Sequence, residues 1–447
     1  MSQTPLGAQA PLTDAEGEQV LHRALWRILP FIFACYVISY LDRTNVGFAA
    51  ISMNKDLGLT ATMFGWAAGL FFFGYFIFEI PSNLLMQRFG ARIWIARIMI
   101  TWGLISMATA FATGPVSFSI LRFLLGVAEA GFTPGVYLYF TYWFPGKWRA
   151  KATAAFLLGI PTANIIGSPL SGFLLDVHDF MGLKNWQFLL VVEALPAVLL
   201  GIVCLFVLVD SPAKARWLSS RERTWLTERL AREQREIGAA HGSTLRDALT
   251  NPKVFVLAAI NFCGIVGSVG IGIWMPQIIK SLGMQNSTVG LVATIPYVVG
   301  AIAMTLWARQ ANKSSHRLPY VAGALGLAAC GLVGAALSAD PLLRMSCLSV
   351  TVASILSFQA TFWAIPSSFL TGRAAAGGLA LIVSIGNLGG FVGPFAIGLV
   401  KDATQSYSGP FYVVASVMVL GVVLMLWLGD PSRRVSLKTG GEVPLRT

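Results

Sequence analysis

Ionisable residues interrupt apolar segments of this 447-residue chain that are long enough to cross a bilayer. They are Asp42 and Arg43 in "SYLDRTNVGFAA", Glu79, Arg122 and Glu129 in "RFLLGVAEAGFTPG", and Glu193. A charge near the centre of a bilayer costs at least about 2.5–3.5 kcal/mol, so such residues are candidates for a function. Carboxylates could exchange protons there, and an arginine could hold an anionic carboxylate through two hydrogen bonds.

Four of these residues are expected to lie close together in the membrane. Asp42 lies about two thirds of the way across its segment, and Arg122 lies at nearly the same depth in a segment of opposite direction. Glu129 follows Arg122 on the same helix face, two turns further on and roughly 10 Å deeper. The spacing predicts a layer of Asp42, Arg43 and Arg122 above a carboxylate near the midplane.

The charges of this set balance when all four groups are ionised. An anion bound at Arg43 would add one negative charge, and a proton on Asp42 or Glu129 would restore neutrality. Anion and proton are therefore expected to bind together. The alternative is that the four groups only pair with one another and lock the helices. Glu79 and Glu193 are expected to make structural hydrogen bonds instead.

The elements that position these charges are predicted to be membrane-spanning helices. The chain is 55% hydrophobic and only 12% charged, which is about half the charged fraction of a soluble protein. Hydrocarbon offers backbone groups no partner, and no barrel-like alternation appears, so helices are expected. The predicted spans are 27–50, 62–83, 93–113, 116–142, 150–176, 187–209, 253–280, 288–309, 318–338, 342–370, 375–401 and 410–428.

This pattern predicts an all-α membrane protein with twelve transmembrane helices in two pseudo-symmetric bundles of six. An internal echo supports the two halves, because "NIIGSPLSGFLLD" and "NLGGFVGPFAIGLVKD" both read Asn, Gly, Pro, Gly and then Asp. Parallel half-repeats of this kind belong to transporters that have a midplane site. The predicted parts are a cytoplasmic tail at 1–26, a bundle at 27–209, a linker with an amphipathic helix at 210–252, a bundle at 253–428, and a cytoplasmic tail at 429–447.

The basic residues predict the orientation of these spans. Most of the 32 lysines and arginines fall in connectors on one side of the membrane, together with both termini. That side is expected to be cytoplasmic by the positive-inside rule. The net charge of +12 is thus explained without a nucleic-acid partner. The basic residues expected on the opposite side are Lys55, Lys184, Lys280, Arg344 and Lys401.

Several classes of function are disfavoured by what the sequence lacks. It contains no Ser/His or Cys/His arrangement and no cluster with metal-ligand spacing, so neither an enzyme nor a metal or cofactor site is expected. No Walker motif appears, which disfavours a transporter driven by ATP. The polar, acidic first 22 residues do not have the pattern of a cleaved signal peptide.

The segments "YLDRTNVGFAA", "IPSNLLMQRFGARIWIARIM" and "RFLLGVAEAGFTPG" together resemble the major facilitator superfamily. Within it, the chain is similar over nearly its whole length to the anion:cation symporter family, which includes tartrate, phthalate and sugar-acid transporters. The resemblance implies that Asp42 and Glu129 carry protons, that Arg43 binds a substrate carboxylate, and that Arg122 assists. The other implied substrate-binding residues are Tyr40, Tyr75, Gln359, Trp363 and Asn387. For Tyr75, Gln359 and Trp363, ordinary packing or internal hydrogen bonding is the alternative.

The same resemblance assigns the loop after the second span to a cytoplasmic gate. Arg88, Gly90 and Arg92 match the family's loop, whereas Gln87 stands where the family has an acidic residue that pairs across the two halves. The fold of the loop is expected to be kept, and a gate based on that charge is expected to be weaker.

The expected function is a proton-coupled symporter of a bacterial inner membrane that acts as a monomer by alternating access. Its substrate is expected to be an organic anion such as tartrate, a sugar acid or an aromatic carboxylate. An aromatic acid would suit Phe71, Phe72, Phe73 and Trp363, whereas Tyr40, Asn387 and Gln359 would suit hydroxyl groups. The alternatives are an exchanger or exporter of the same fold and, more remotely, a non-transporting nutrient sensor.

Overall fold

The computed structural model of the protein describes residues 12–177, 180, 182–239, 250–314, 316–366 and 372–429. Apart from Gly429, the predicted tail at 429–447 lies outside the described residues. The first half contains α1 (Asp14–Asp56), α2 (Ala61–Phe89), α3 (Ala91–Thr109), α4 (Pro115–Glu129), α5 (Phe132–Trp143), α6 (Gly146–Leu157), α7 (Gly159–Leu174) and α8 (Asn185–Val207). The linker contains α9 (Ser220–Ala239). The second half contains α10 (Pro252–Lys280), α11 (Asn286–Lys313), α12 (Leu318–Leu337), α13 (Pro341–Phe362), α14 (Gly372–Thr404) and α15 (Ser408–Leu428).

The predicted fold class is confirmed. In the described part of the chain, twelve helical stretches are long and apolar enough to cross a membrane. Two of them are broken helices, because α4 with α5 forms the fourth stretch and α6 with α7 forms the fifth. Each break is short, so most of the backbone at membrane depth stays helical, as the lack of hydrogen-bond partners in hydrocarbon requires.

The first helix begins earlier than the predicted span at 27. Thr13 Oγ1 accepts a hydrogen bond from the N–H of Glu16, and Glu16 Oε2 accepts one from the N–H of Thr13. This capping box satisfies two donors that a helix start leaves free. The helix therefore begins at Asp14, within the segment that apolarity alone assigns to a tail.

The break between α4 and α5 lies directly after Glu129. Ala130 has an extended backbone (ψ 132°), and Gly131 has a φ of +87°, in the left-handed region that favours glycine. A side chain at Gly131 would also collide with Ser82 of α2. The helix that carries Arg122 therefore ends at Glu129, which is fully buried.

The linker helix α9 packs on the first half of the molecule. Ser219 caps it, because its Oγ accepts from the N–H of Glu222. Leu218 and Leu226 are buried, as expected of one face of an amphipathic helix, and the Trp217 ring stacks on Trp143 with ring centres 5.7 Å apart. Glu222 carries a second contact, an ion pair of 2.9 Å with Arg23 of α1.

The two halves meet along three helix pairs, α2 with α14, α7 with α11, and α1 with α10. We call the end of the molecule with the connectors 57–60, 281–285 and 405–407 the far end. The opposite end, with the start of α1 and with α9, is the terminal end. The cross-half hydrogen bonds near the connectors, such as Asn54 Nδ2 to Gln277 Oε1 (3.3 Å), lie at the far end.

Candidate substrate and proton site

An ion pair at the wall of a central cavity joins the first helix to the fourth. Arg43 of α1 donates from Nε to Glu129 Oε1 at 2.8 Å, and its Nη2 lies 2.7 Å from the same oxygen. Ser39, one turn earlier on α1, donates to that oxygen at 2.6 Å. Glu129 Oε2 is buried and accepts no hydrogen bond in the described structure. Oε1 thus accepts all the hydrogen bonds of this carboxylate in the described structure, and Oε2 is the oxygen that could take up a proton.

Aromatic rings surround the Arg43 guanidinium. Its Cζ lies 5.1 Å from the centre of the Tyr40 ring, 5.5 Å from Phe71 and 5.3 Å from Tyr75. Cation–π contacts of this kind stabilise the charge where water is excluded. Arg43 is nevertheless partly exposed to the cavity, with 16% of its side-chain surface accessible.

Asp42 faces away from this pair, towards α3 and α8. Its Oδ1 accepts hydrogen bonds from Ser106 Oγ (2.5 Å) and Asn45 Nδ2 (3.1 Å). Asn45 also lies within interaction range of Glu193, whose Oε1 accepts from Ser171 Oγ at 2.6 Å. Asp42 and Glu193 are both 1% exposed. The predicted hydrogen-bonded environment of Glu193 is therefore present, and it is continuous with that of Asp42.

The predicted layer of Asp42, Arg43 and Arg122 is not the arrangement of contacts in the structure, because Arg43 pairs with Glu129 instead. Arg122 is 2% exposed, its guanidinium lies 5.2 Å from the Phe71 ring, and it forms no ion pair within 4 Å among the described residues. It interacts with Asp42 and Glu129 at longer range. Adjacent residues on a helix point about 100° apart, so Asp42 meets Ser106 of α3 while the Arg43 side chain faces α4 and reaches Glu129. The four charged groups still lie within electrostatic range of one another, and Asp42, Arg122 and Glu129 are buried.

The cavity lies between the two halves and has about 120 Å³ of free space. The first half lines it with Tyr40, Arg43, Thr44, Phe72, Ile160 and Asn164. The second half lines it with Ile265, Ser268, Val269, Ile271, Gly272, Ile273, Tyr297, Val352, Ile355, Leu356, Gln359 and Asn387. The cavity thus brings together four of the predicted substrate-binding residues, namely Tyr40, Arg43, Gln359 and Asn387.

The other three predicted substrate residues do not line this cavity. Tyr75 is buried behind Arg43, and Arg122 is buried beneath Phe71. Trp363 packs edge-on against Phe362, with ring centres 5.2 Å apart. Of the aromatic residues that would suit an aromatic acid, only Phe72 is on the wall; Phe73 is 42% exposed and lies beside Phe391.

Hydrogen bonds fix the two amides on the second-half wall. Gln359 Nε2 donates to Ser268 Oγ at 2.9 Å, and Asn387 Nδ2 donates across the halves to Glu79 Oε2 at 3.3 Å. Glu79 thus has the expected hydrogen bond, but its partner is a residue of the cavity. The sequence offered one signal for this contact, since Glu79 is an acidic residue within a span.

Sequence reasoning missed other lining residues, namely Thr44, Asn164, Ser268 and Tyr297. Asn164 was visible as the first residue of the internal echo whose other copy begins with Asn387. Thr44, Ser268 and Tyr297 are ordinary residues of membrane helices, so no motif marks them.

The predicted gate loop is held by the linker. Gly90 has a φ of +88°, and a side chain there would lie 2.8 Å from Asp210 Oδ1. The same oxygen accepts from the N–H of Arg92 at 3.0 Å, and Lys214 pairs with Asp210 Oδ2 at 3.0 Å. Arg88, Arg92 and Gln87 are exposed. Asp210, which the sequence analysis did not single out, therefore caps α3 and fixes this loop.

The chain belongs to the Major Facilitator Superfamily, whose family model matches residues 32–285 and 257–446. It is thus a membrane transport protein and not an enzyme. It is 46% identical over 425 residues to a protein of Agrobacterium vitis named "Putative tartrate transporter", covering 95% of this chain and 94% of the relative. It is 39% identical over 408 residues to the "Quinolone resistance transporter" of Acinetobacter baumannii, covering 91% and 94%. A solved structure of a D-xylose–proton symporter shares the fold, with a TM-score of 0.74 at 17% identity, covering 91% of this chain and 97% of that one.

Proposed function

We propose that this protein is a proton-coupled symporter that imports a hydroxylated carboxylate, such as tartrate or a sugar acid, by alternating access. The observation that carries the proposal is the ion pair between Arg43 and Glu129 at the cavity wall. In the proposed cycle, the substrate carboxylate takes the place of Glu129 on the Arg43 guanidinium.

This exchange requires a proton. Without Arg43, the fully buried Glu129 would be an unpaired carboxylate, and breaking a buried ion pair costs about 3–5 kcal/mol. A proton on Glu129 removes that cost, and Oε2, which accepts no hydrogen bond from the described part of the chain, can carry it. Binding of the anion to Arg43 therefore lowers the free energy only when Glu129 is protonated. This dependence couples anion binding to proton binding.

Asp42 is the second proposed proton carrier. It is buried, its Oδ2 accepts no hydrogen bond from the described residues, and it lies within electrostatic range of both Glu129 and Arg122. Arg122 would hold the average charge of the group near zero, while it stays out of direct contact with the substrate.

The cavity wall favours hydroxyl groups over an aromatic ring. All three residues suited to hydroxyls, Tyr40, Gln359 and Asn387, line the cavity, whereas only Phe72 of the aromatic set does so. The Agrobacterium vitis relative is named for tartrate, which is a hydroxylated acid. The two halves of one chain supply both walls of the cavity, so the proposed cycle needs no second copy, and the proposal includes a functional monomer.

The proposed location is a bacterial inner membrane with both termini in the cytoplasm. The basic residues Lys55, Lys184, Lys280 and Lys401 all belong to the far end, and the remaining connectors at the terminal end are richer in lysine and arginine. The terminal end is then cytoplasmic, and the described conformation, with its contacts at the far end, is closed towards the outside.

The test is uptake into proteoliposomes of the purified protein, with and without an inward proton gradient. Tartrate, a six-carbon sugar acid and benzoate would be compared at equal concentration. We expect the gradient to drive accumulation of a hydroxylated acid, and little accumulation of benzoate. Uptake of every acid at the same rate with and without the gradient would refute proton symport.

A second candidate function is export, which is favoured by the similarity to the Acinetobacter baumannii relative named for quinolone resistance. The same proteoliposomes distinguish it, since a proton antiporter would expel a preloaded quinolone when the gradient is imposed. Stimulated efflux of norfloxacin, without accumulation of any organic acid, would favour export over the proposed import.

A further inference from the structure

Two aspartates at the far end each cross from one half of the molecule to the other. Asp402, in the last turn of α14, accepts hydrogen bonds from the backbone N–H groups of Ala61 (3.1 Å) and Thr62 (2.7 Å), the first residues of α2. Asp176, which follows α7, accepts one from the N–H of Ser287 (3.0 Å), the second residue of α11. The first N–H groups of a helix have no partner inside it, and its dipole favours negative charge there.

Neither helix start is satisfied by its own half alone. At α2, the side chain of Thr60 accepts only from the N–H of Met63 (3.2 Å), and the two preceding N–H groups bind Asp402. At α11, the capping residue Gln285 makes no side-chain hydrogen bond to the helix. The capping of both helices is therefore complete only when the far end is closed.

The two contacts are copies of each other. Gly172 and Asp176 in "GFLLD" correspond to Gly398 and Asp402 in "GLVKD", with one helical turn between glycine and aspartate. A side chain at Gly398 would collide with the Ala61 carbonyl oxygen, and one at Gly172 would lie 2.7 Å from the Asn286 carbonyl oxygen. The glycines allow close backbone approach, and the aspartates reach the helix ends from it. The first residues of the internal echo, Asn164 and Asn387, line the cavity. Its last glycine and aspartate form these contacts at the far end.

We propose that Asp402 and Asp176 are paired gate carboxylates, which stabilise the state closed at the far end and release when that end opens. A contact made in only one of two states shifts the equilibrium towards that state. When the halves separate, the carboxylates and the helix ends both meet water, so the net gain from each bond is modest and the gate remains reversible. The proposal requires only that the halves rock, and it is independent of the substrate and of the proton carriers.

The test measures the two conformations directly in the full-length protein in lipid nanodiscs. Spin labels at Lys55 and Ala403 report the far end, and labels at Gln87 and Gln310 report the terminal end; all four positions are exposed. Cys330, which is exposed, and Cys347, which is partly exposed, are replaced by serine beforehand.

We expect Asp402→Ala to raise the ratio of far-end-open to far-end-closed molecules at least about tenfold, from the net worth of a hydrogen bond to a charged group. Asp176→Ala should have a smaller effect, because in the described structure Asp176 accepts one hydrogen bond from a backbone N–H of α11, whereas Asp402 accepts two from α2. Asp402→Asn, which keeps an acceptor oxygen, should fall between wild type and Asp402→Ala. The double alanine variant should show the largest shift.

The matched control is Asp56→Ala. Asp56 is also at the far end, but its bonds to Trp186 (2.8 Å) and Lys184 (3.0 Å) stay within the first half. This variant should leave both distance distributions unchanged. Distributions in the double variant that equal those of wild type would overturn the proposal, even if its melting temperature were lower, because aspartates of purely structural value would lower stability alone.

Discussion

The two halves share one architecture but differ in where they bury charge. Among the described residues, every buried Asp, Glu, Lys or Arg lies in the first half, namely Asp42, Glu79, Arg122, Glu129 and Glu193. The second half contributes to the cavity mainly aliphatic side chains, two amides, a serine and a tyrosine. Under the proposed function, the first half would bind the anion and the protons, and the second half would contact the rest of the substrate.

The largest effect is expected from Arg43→Lys in the first half. A lysine keeps the charge but cannot grip a carboxylate with a planar fork, and it is more strongly hydrated than arginine. Loss of a charge-assisted hydrogen bond of about 1.5–3 kcal/mol should raise KM for uptake roughly ten- to hundredfold. An unchanged KM would remove Arg43 from the binding site.

Glu193 tests whether every buried charge of the first half takes part in coupling. Glu193→Leu leaves the Ser171 hydroxyl without its partner, so the free energy of unfolding should fall by about 1–3 kcal/mol. Glu193→Gln keeps an acceptor and should retain both stability and gradient-driven uptake. Thermal unfolding in detergent and proteoliposome uptake provide the two measurements. Loss of coupling in a stable Glu193→Gln variant would extend the proton site to α8.

The concentration of buried charge in the first half was largely predictable from the sequence, because a charged residue in an apolar span is conspicuous. Helix periodicity predicted that Arg43 and Glu129 belong to one site, but it does not specify side-chain conformations. It therefore missed that Arg43 reaches Glu129 while Asp42 turns to Ser106. The second-half wall was harder, because aliphatic residues that face a cavity and those that face lipid look alike in a sequence.

The helix ends show the same limit. Apolarity placed the start of the first span at 27, whereas the capping box of Thr13 and Glu16 starts the helix at Asp14. Asp210 passed unnoticed because its role, capping α3 and holding the loop at Gly90, depends on a contact between distant segments.

A smaller effect is expected from Gln359→Leu on the second-half wall. The change removes one amide that faces the cavity, and it should weaken the binding of a hydroxylated acid by about 1 kcal/mol, or roughly fivefold. Binding of an unhydroxylated acid of similar size should be unaffected. Competition of both acids against labelled substrate would measure the ratio, and Trp363→Leu, outside the cavity lining, is the control.

The smallest effect is expected from Ser268→Ala. Ser268 accepts the Gln359 amide at 2.9 Å, so its removal should loosen Gln359 without deleting it. We expect a change of about two- to threefold in KM, from a net hydrogen bond of about 0.5 kcal/mol. A larger effect than that of Gln359→Leu would mean that Ser268 contacts the substrate itself.

The most direct test of the central claim is transport by Glu129→Gln in proteoliposomes. This variant cannot release a proton from position 129, but the side chain can still hydrogen-bond Ser39 and Arg43. If the substrate exchanges with a protonated Glu129 on Arg43, counterflow exchange should persist, and accumulation driven by a proton gradient should be lost. Full gradient-driven accumulation by Glu129→Gln would contradict the account.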